Sequence, residues 1–191
     1  MTISVKKIFA ISMAISILSV AGCTLVLRTL ILSRFVGSID AETIYGPIKL
    51  VTKLDKNMFS LGEEINVNVT ITNISNETIL LVYSTGLSIE FAVYDSSSKL
   101  IYAPSLTMGF PGVFVDISLE PSELYGLDVK WDQQKMAGEY TSKTESVDSG
   151  TYYIAGRVGE GLCYLGPKDE YQDDIVERLT VETPKIEIQI L

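Results

Sequence analysis

Residues 64–73, EINVNVTITN, alternate strictly: Ile65, Val67, Val69 and Ile71 share one face, and Asn66, Asn68, Thr70 and Thr72 share the other. Successive side chains of a strand point to opposite sides of its sheet. The stretch is therefore a strand with one face in a core and one in water, the mark of an antiparallel sheet. Outward from it the same grammar repeats. Runs at 78–83, 88–95, 99–102, 113–119, 127–131, 151–158, 175–181 and 186–191 are broken by Gly, Pro, Asn, Asp or Ser, with a polar stretch at 132–149. Pro184 separates the last two, since proline cannot sit in a central strand. Eight or nine short strands between residues 48 and 191 predict an all-β, immunoglobulin-like antiparallel β-sandwich. A small barrel is the other closure of the same pattern. No internal repeat divides the chain.

The amino-terminal part reads differently. From Ile8 to Leu27, IFAISMAISILSVAGCTLVL carries no charge, and twenty helical residues span roughly the 30 Å hydrocarbon core of a bilayer. A single N-terminal transmembrane helix is therefore expected before the sandwich, with residues 1–36 as membrane anchor or signal segment, 37–47 as a polar linker and 48–191 as the folded domain. An uncleaved anchor is the preferred reading. Val20-Ala21-Gly22-Cys23 also matches a lipoprotein box, which makes Cys23 the candidate lipidation residue, and Ser19 and Ala21 suit a cleaved signal. Lys6 and Lys7 precede the span and Arg28 and Arg34 follow it, so the flanking charge does not decide orientation.

Composition excludes much. The chain has 191 residues and no His, which removes Ser-His-Asp and Cys-His nucleophilic sites and His-containing zinc sites. Two cysteines, Cys23 and Cys163, cannot build an all-thiolate zinc site, and with one of them inside the apolar span no internal disulfide is expected. All 24 acidic residues lie beyond residue 36, against 15 basic residues in the whole chain. Such a domain repels nucleic-acid phosphate. No two acids stand in an apolar context that would raise one pKa for glycoside hydrolysis. No enzyme activity and no cofactor are expected. Asp169, Glu170, Asp173, Asp174 and Glu177 crowd one connection without EF-hand spacing and read as a solvated acidic loop rather than a calcium site. Trp131 and Tyr152 alternate in phase with Val129 and Ile154 and read as core, not as a sugar platform.

Three sequons, at Asn68, Asn73 and Asn76, mark candidate N-glycosylation acceptors and an outside domain. The most apolar connection, 103–112 (APSLTMGFPG), offers Leu106, Met108 and Phe110 as a candidate partner-binding loop, pictured as a rigid extended segment docked in a protease cleft. The rival reading of the same three residues is that they fold back over the sandwich.

FSLGEEINVNVTITNIS (59–75), YSTG (83–86), IEFAVYD (89–95), ISLEPSE (117–123), KWDQQ (130–134) with Gly138, and SGTYYIAG (149–156) follow one another. This order of pieces resembles the BsuPI family of intracellular proteinase inhibitors. The resemblance spans about Phe59–Val158, and within it Ser122 stands where the family usually has Gly. It implies a sandwich-type binding domain with a protein partner. Two functions follow as expectations. One is a membrane-anchored, extracytoplasmic BsuPI-like module that inhibits a proteinase, held in the cell membrane by one pass. The other is a structural or assembly module bound to envelope proteins, without inhibitory activity.

Overall fold

The computed structural model describes residues 38–83, 88–107, 115–137, 143–165 and 175–191, with 160–165 and 175–180 described by backbone only. The fold is all-β. Its first sheet is antiparallel, in the order β1 (Ile39–Tyr45), β2 (Ile48–Leu54), β4 (Ile65–Asn73) and β9 (Leu124–Trp131). Register carries the apolar faces across it: Leu50 lies opposite Ile71, and Ile65 opposite Trp131. Because the side-chain period is two, this register sends Leu50, Leu54, Val67, Val69 and Ile71 together into the core.

Within the expected linker 37–47, residues Ile39–Tyr45 form a strand. β1 pairs with β2 along its whole length, from Ile39 opposite Leu54 to Tyr45 opposite Ile48, and Gly46 turns the hairpin at φ 53°. The compact unit accordingly begins at Ser38. Ile39, Ala41 and Tyr45 pack on the core only partly, because β1 is an edge strand, and so the stretch reads as polar. The candidate span Ile8–Leu27 and Cys23 lie outside the described residues. Among those described, no helix is long and apolar enough to cross a membrane.

The second sheet is built on β12 (Gly150–Leu165), a strand of 16 residues. Its first half pairs with β6 (Ile89–Asp95) on one side and β14 (Ile186–Ile190) on the other. Its second half pairs with β5 (Ile79–Tyr83) and β13 (Ile175–Glu182), and the register with β13 shifts between Val158 and Gly161. The strand expected at 151–158 is thus only half of the real one; Gly159 and Gly161 hide the continuation. β8 (Val115–Leu119) extends the sheet beyond β5, and β7 (Leu100–Tyr102) extends it beyond β6. β3 (Met58–Phe59) adds a short parallel pairing to β14. The polar stretch 132–149 contains the hairpin β10 (Gln134–Met136) and β11 (Thr144–Ser146).

The two sheets pack face to face. Leu50, Val69 and Trp131 from the first and Phe91, Ile154 and Ile188 from the second are all buried in one core. The sheets are in close contact at Gly156: a Cβ there would lie 2.1 Å from Thr52 Oγ1 and 2.8 Å from a Val69 methyl. Only glycine fits. Thr52 and Thr183 share a hydroxyl hydrogen bond of 3.0 Å at this point, and the Gly156 amide donates to Thr183 Oγ1 at 3.0 Å. These buried polar groups are satisfied, which removes the penalty for enclosing them. Trp131 and Tyr152 pack edge-on at 6.2 Å, Trp131 in the core and Tyr152 partly buried against it.

Candidate functional site

The outer face of the second sheet is covered where β6 runs. In β6, Ile89, Phe91 and Val93 face the core, yet Glu90 and Ala92 are buried as well. Their cover is the turn α1 (Pro104–Thr107), which packs on β6 with Ala103 and Pro104 buried. Glu90, only 3% exposed, is the anchor of this contact. Its Oε2 accepts from the Ser105 amide at 2.8 Å, and its Oε1 accepts from the Ser105 hydroxyl at 2.9 Å. Arg157 of β12 closes the cluster: Nε reaches Glu90 Oε1 at 2.6 Å and an Nη reaches the Ser105 hydroxyl at 3.0 Å. Charge-assisted bonds of this kind are short and directional.

Leu106 stands beyond this cluster and is 42% exposed. The picture of a rigid extended segment fails at 104–107. The Leu106 amide donates to Ala103 O at 3.0 Å and the Thr107 hydroxyl to Pro104 O at 3.2 Å, so the residues close one helical turn. A side chain in such a turn projects as a knob. Met108 and Phe110 lie outside the described residues. Behind the turn, Tyr102 stacks between Phe91 at 5.7 Å and Trp131 at 6.4 Å. Burial pushes its phenol above the ordinary value, against a hydrogen bond from Thr107.

The sequons separate. Asn76 is exposed. Asn68 is half-buried and its amide donates to Asp128 at 2.6 Å. Asn73 is fully buried and cannot carry a glycan in the folded chain. Its Nδ2 donates to Glu77 O and Leu119 O at 2.7 and 2.9 Å, and its Oδ1 accepts from the Ser75 amide and hydroxyl. The Asn-x-Ser pattern there is a turn device. Asn68 also helps line a shallow groove of about 550 Å³ with Lys53, Asn66, Asp128 and Lys130, on the outer face of the first sheet. Outward polar residues gave no sign of it in the sequence. Among the described residues no group of three or more Cys, Asp or Glu side chains is placed to hold a metal ion. Asp169, Glu170, Asp173 and Asp174 lie outside the described residues, and Cys163 falls within β12, backbone-paired with Leu81 and Glu177.

Comparison with protein families matches residues 52–155 to BsuPI, described as intracellular proteinase inhibitor. The chain belongs to the BsuPI family. No curated protein matches it. Among solved structures it is similar to a β-glucosidase from Listeria innocua in complex with glucose, at 15% identity and a TM-score of 0.40. That likeness covers 75% of this chain and 16% of the glucosidase, so the chain spans about a sixth of its length. It is also similar to the CARDB domain of a Pyrococcus furiosus protein in complex with di-metal ions. There the identity is 10% and the TM-score 0.35, over 82% of this chain and 91% of that one. Likenesses at this level carry no argument about function.

The BsuPI motif pieces meet in space. Gln133, of KWDQQ, reaches the 60–63 turn of FSLGEE: its amide donates to Ser60 O and Glu63 O at 2.8 and 2.9 Å, and its Oε1 accepts from the Gly62 amide at 2.7 Å. Gln133 and Gly62 both adopt positive φ, 57° and 80°. Trp131 beside it is fully buried, and its indole donates to Gln134 O at 2.8 Å. Ser122 sits at φ 67° in the turn after Pro121, the left-handed conformation that glycine adopts without strain. The family's glycine at this place has a backbone reason. These residues hold the turns of the fold together.

Proposed function

We propose that this BsuPI protein is a non-catalytic, immunoglobulin-like binding module that inhibits a proteinase, with its contact centred on Leu106. Family membership supports the inhibitor class. The single observation that carries the site is the exposed Leu106 on a turn whose base is fixed by Glu90, Arg157 and Ser105. A preformed knob loses little conformational entropy on docking, which favours affinity. We propose further that the domain from Ser38 onward lies outside the cytoplasm, tethered by Ile8–Leu27. The uncharged span and the accessible sequons Asn68 and Asn76 support this, while Asn73 no longer does.

The test is inhibition of a panel of extracellular serine proteases by the full-length chain in detergent micelles. Micromolar inhibition that Leu106→Asp weakens at least tenfold is expected; no inhibition by the unsubstituted chain at that concentration sinks the inhibitor reading. Protease added to spheroplasts should cut the domain while a cytoplasmic marker survives. Survival of the intact chain, when a known surface protein is degraded, sinks the topology.

A further inference from the structure

We propose that buried Glu90, paired with the partly exposed Arg157, is a positioning device for Leu106, holding the Pro104–Thr107 turn in its partner-ready conformation. The inference rests on the inhibitor reading for its consequence, and on geometry for its substance. A carboxylate enclosed on the outer face of a sheet needs a reason even with a partly exposed arginine beside it, because exchanging a buried charge and its partner for apolar side chains of similar volume is often neutral or stabilising. Stability alone does not select it.

What the pair supplies is direction. Glu90 is 3% exposed, yet its acceptors reach away from the strand: Oε2 takes the Ser105 amide at 2.8 Å and Oε1 the Ser105 hydroxyl at 2.9 Å. The Ser105 amide stands at the start of the turn, where a helical N–H has no partner within the helix. Arg157 holds the carboxylate from β12, with Nη2 2.5 Å and Nε 2.6 Å from the same oxygen. Its guanidinium also donates to the Ser105 hydroxyl at 3.0 Å. Two strands of the sheet and the turn therefore meet at one carboxylate, one residue before Leu106. An apolar pair could fill the space and could not hold that amide. Leu106 is placed by hydrogen bonds that run through Ser105, and Glu90 and Arg157 act on the partner only through it.

The decisive variant is the double replacement Glu90→Met with Arg157→Leu in the full-length chain in detergent. It leaves no unpaired charge, so the domain still folds while the turn loses its anchor. Hydrogen exchange at the amides of Ser105, Leu106 and Thr107 should accelerate at least tenfold, and the inhibitor concentration for half-inhibition of a responsive serine protease should rise at least tenfold. Unchanged exchange at these amides overturns the proposal. Accelerated exchange with undiminished inhibition overturns it as well, since Leu106 would then dock without being held. If the unsubstituted chain inhibits no protease, the inhibitor reading fails, and the exchange measurement still decides whether the pair holds the turn. Should the double variant not fold, Ser105→Ala removes only the hydroxyl that Glu90 and Arg157 share. Severalfold faster exchange at Leu106 supports the proposal and none overturns it.

Discussion

The two sheets solve the same problem in different ways. Among the described residues the first carries no cover on its outer side: Asn66, Asn68, Thr70 and Thr72 of β4 stand outward, exposed or half-buried, while Ile65, Val67, Val69 and Ile71 are fully buried. The second is enclosed on both sides at β6, where five successive residues, Ile89 to Val93, are buried. One face of β6 packs on the first sheet, and the other lies under the 104–107 turn. The difference separates holding from presenting. The first sheet contributes a core face and a solvated face. The covered sheet has to support a turn on its back, and there it uses a buried carboxylate with a partly exposed arginine in place of more hydrocarbon. Where the sheets meet, hydroxyl and amide contacts fix them against each other at Thr52, Thr183 and Gly156.

That meeting point gives the largest expected effect. Gly156→Ala puts a methyl group 2.1 Å from Thr52 Oγ1 and 2.8 Å from a Val69 methyl, with one neighbour already hydrogen-bonded. Overpacking a closed core costs about 1–3 kcal/mol and occasionally more, and this site belongs at the upper end, about 3 kcal/mol. Gly150→Ala in the same strand meets only a Tyr152 ring carbon at 3.8 Å, an ordinary contact. Denaturant titration of both variants should show a large fall for Gly156 and almost none for Gly150. Equal effects would mean that the sheets are not in close contact at Gly156.

At the end of the sandwich, Asn73 is the second tie between the sheets. It leaves β4 of the first sheet and donates to Leu119 O, at the end of β8 in the second. Asn73→Ala takes the side-chain donor from that carbonyl, while Glu77 O keeps the Ser75 hydroxyl, and an unsatisfied buried group costs about 1–3 kcal/mol. A loss of about 2 kcal/mol is expected in the same titration. A change within 0.5 kcal/mol, about the scale of ordinary surface substitutions, would show that the two sheets do not need this tie. The glycan pattern follows from the same contact: in cells that glycosylate, mass spectrometry should find occupancy at Asn76 and Asn68 and none at Asn73.

The contrast between the sheets also explains what could be read in the sequence. β4 was legible because its alternation is local, and each face has one environment. β6 was legible as a strand through Ile89, Phe91 and Val93, but the burial of Glu90 was not, because its cover arrives from Ser105 and Arg157, the latter 67 residues away. A carboxylate within the run Ile-Glu-Phe-Ala-Val was the available signal. Leu106 was named as a contact from its apolar loop, whereas the helical turn under it depends on a long-range acceptor that no local pattern announces. Gln133 stood inside a quoted motif, and its role waited on a partner turn 70 residues earlier. β1 reads as a polar linker because its inward residues Ile39, Ala41 and Tyr45 are only partly buried at the sheet edge.

A smaller effect of opposite sign comes from the turn that leads into β9. Ser122 holds φ 67°, which costs a non-glycine residue about 1–2 kcal/mol, while glycine forfeits about 0.5–1 kcal/mol of chain entropy. Its side chain is exposed, and its amide still donates to Asn73 O at 2.9 Å after substitution. Ser122→Gly should therefore raise stability by about 0.5 kcal/mol. A loss instead would show that the serine side chain supports the junction beside Asn73.

The smallest effect tests whether the turns at the two sheets carry equal electrostatic weight. Ahead of β4, the Lys56 ammonium bonded to Glu63 holds that carboxyl below its ordinary value, helped by the Ser60 amide. After β6, the Ser97 hydroxyl bonded to Asp95 does the same, against some burial, with the Lys99 and Ser97 amides assisting. A carboxyl depressed in the folded state favours folding at every pH above its unfolded value, near 4. That contribution fades as the pH drops through the lower folded value, because protonation then removes the acceptor. Stability should be level from neutral down to about pH 5 and then decline, gently, since solvent screens both groups. Glu63→Gln and Asp95→Asn should each flatten part of that acid limb. If Glu63→Gln alone removes the whole decline, the sheets differ in their turns as much as in their outer faces, and the first sheet's entry carries the acid sensitivity.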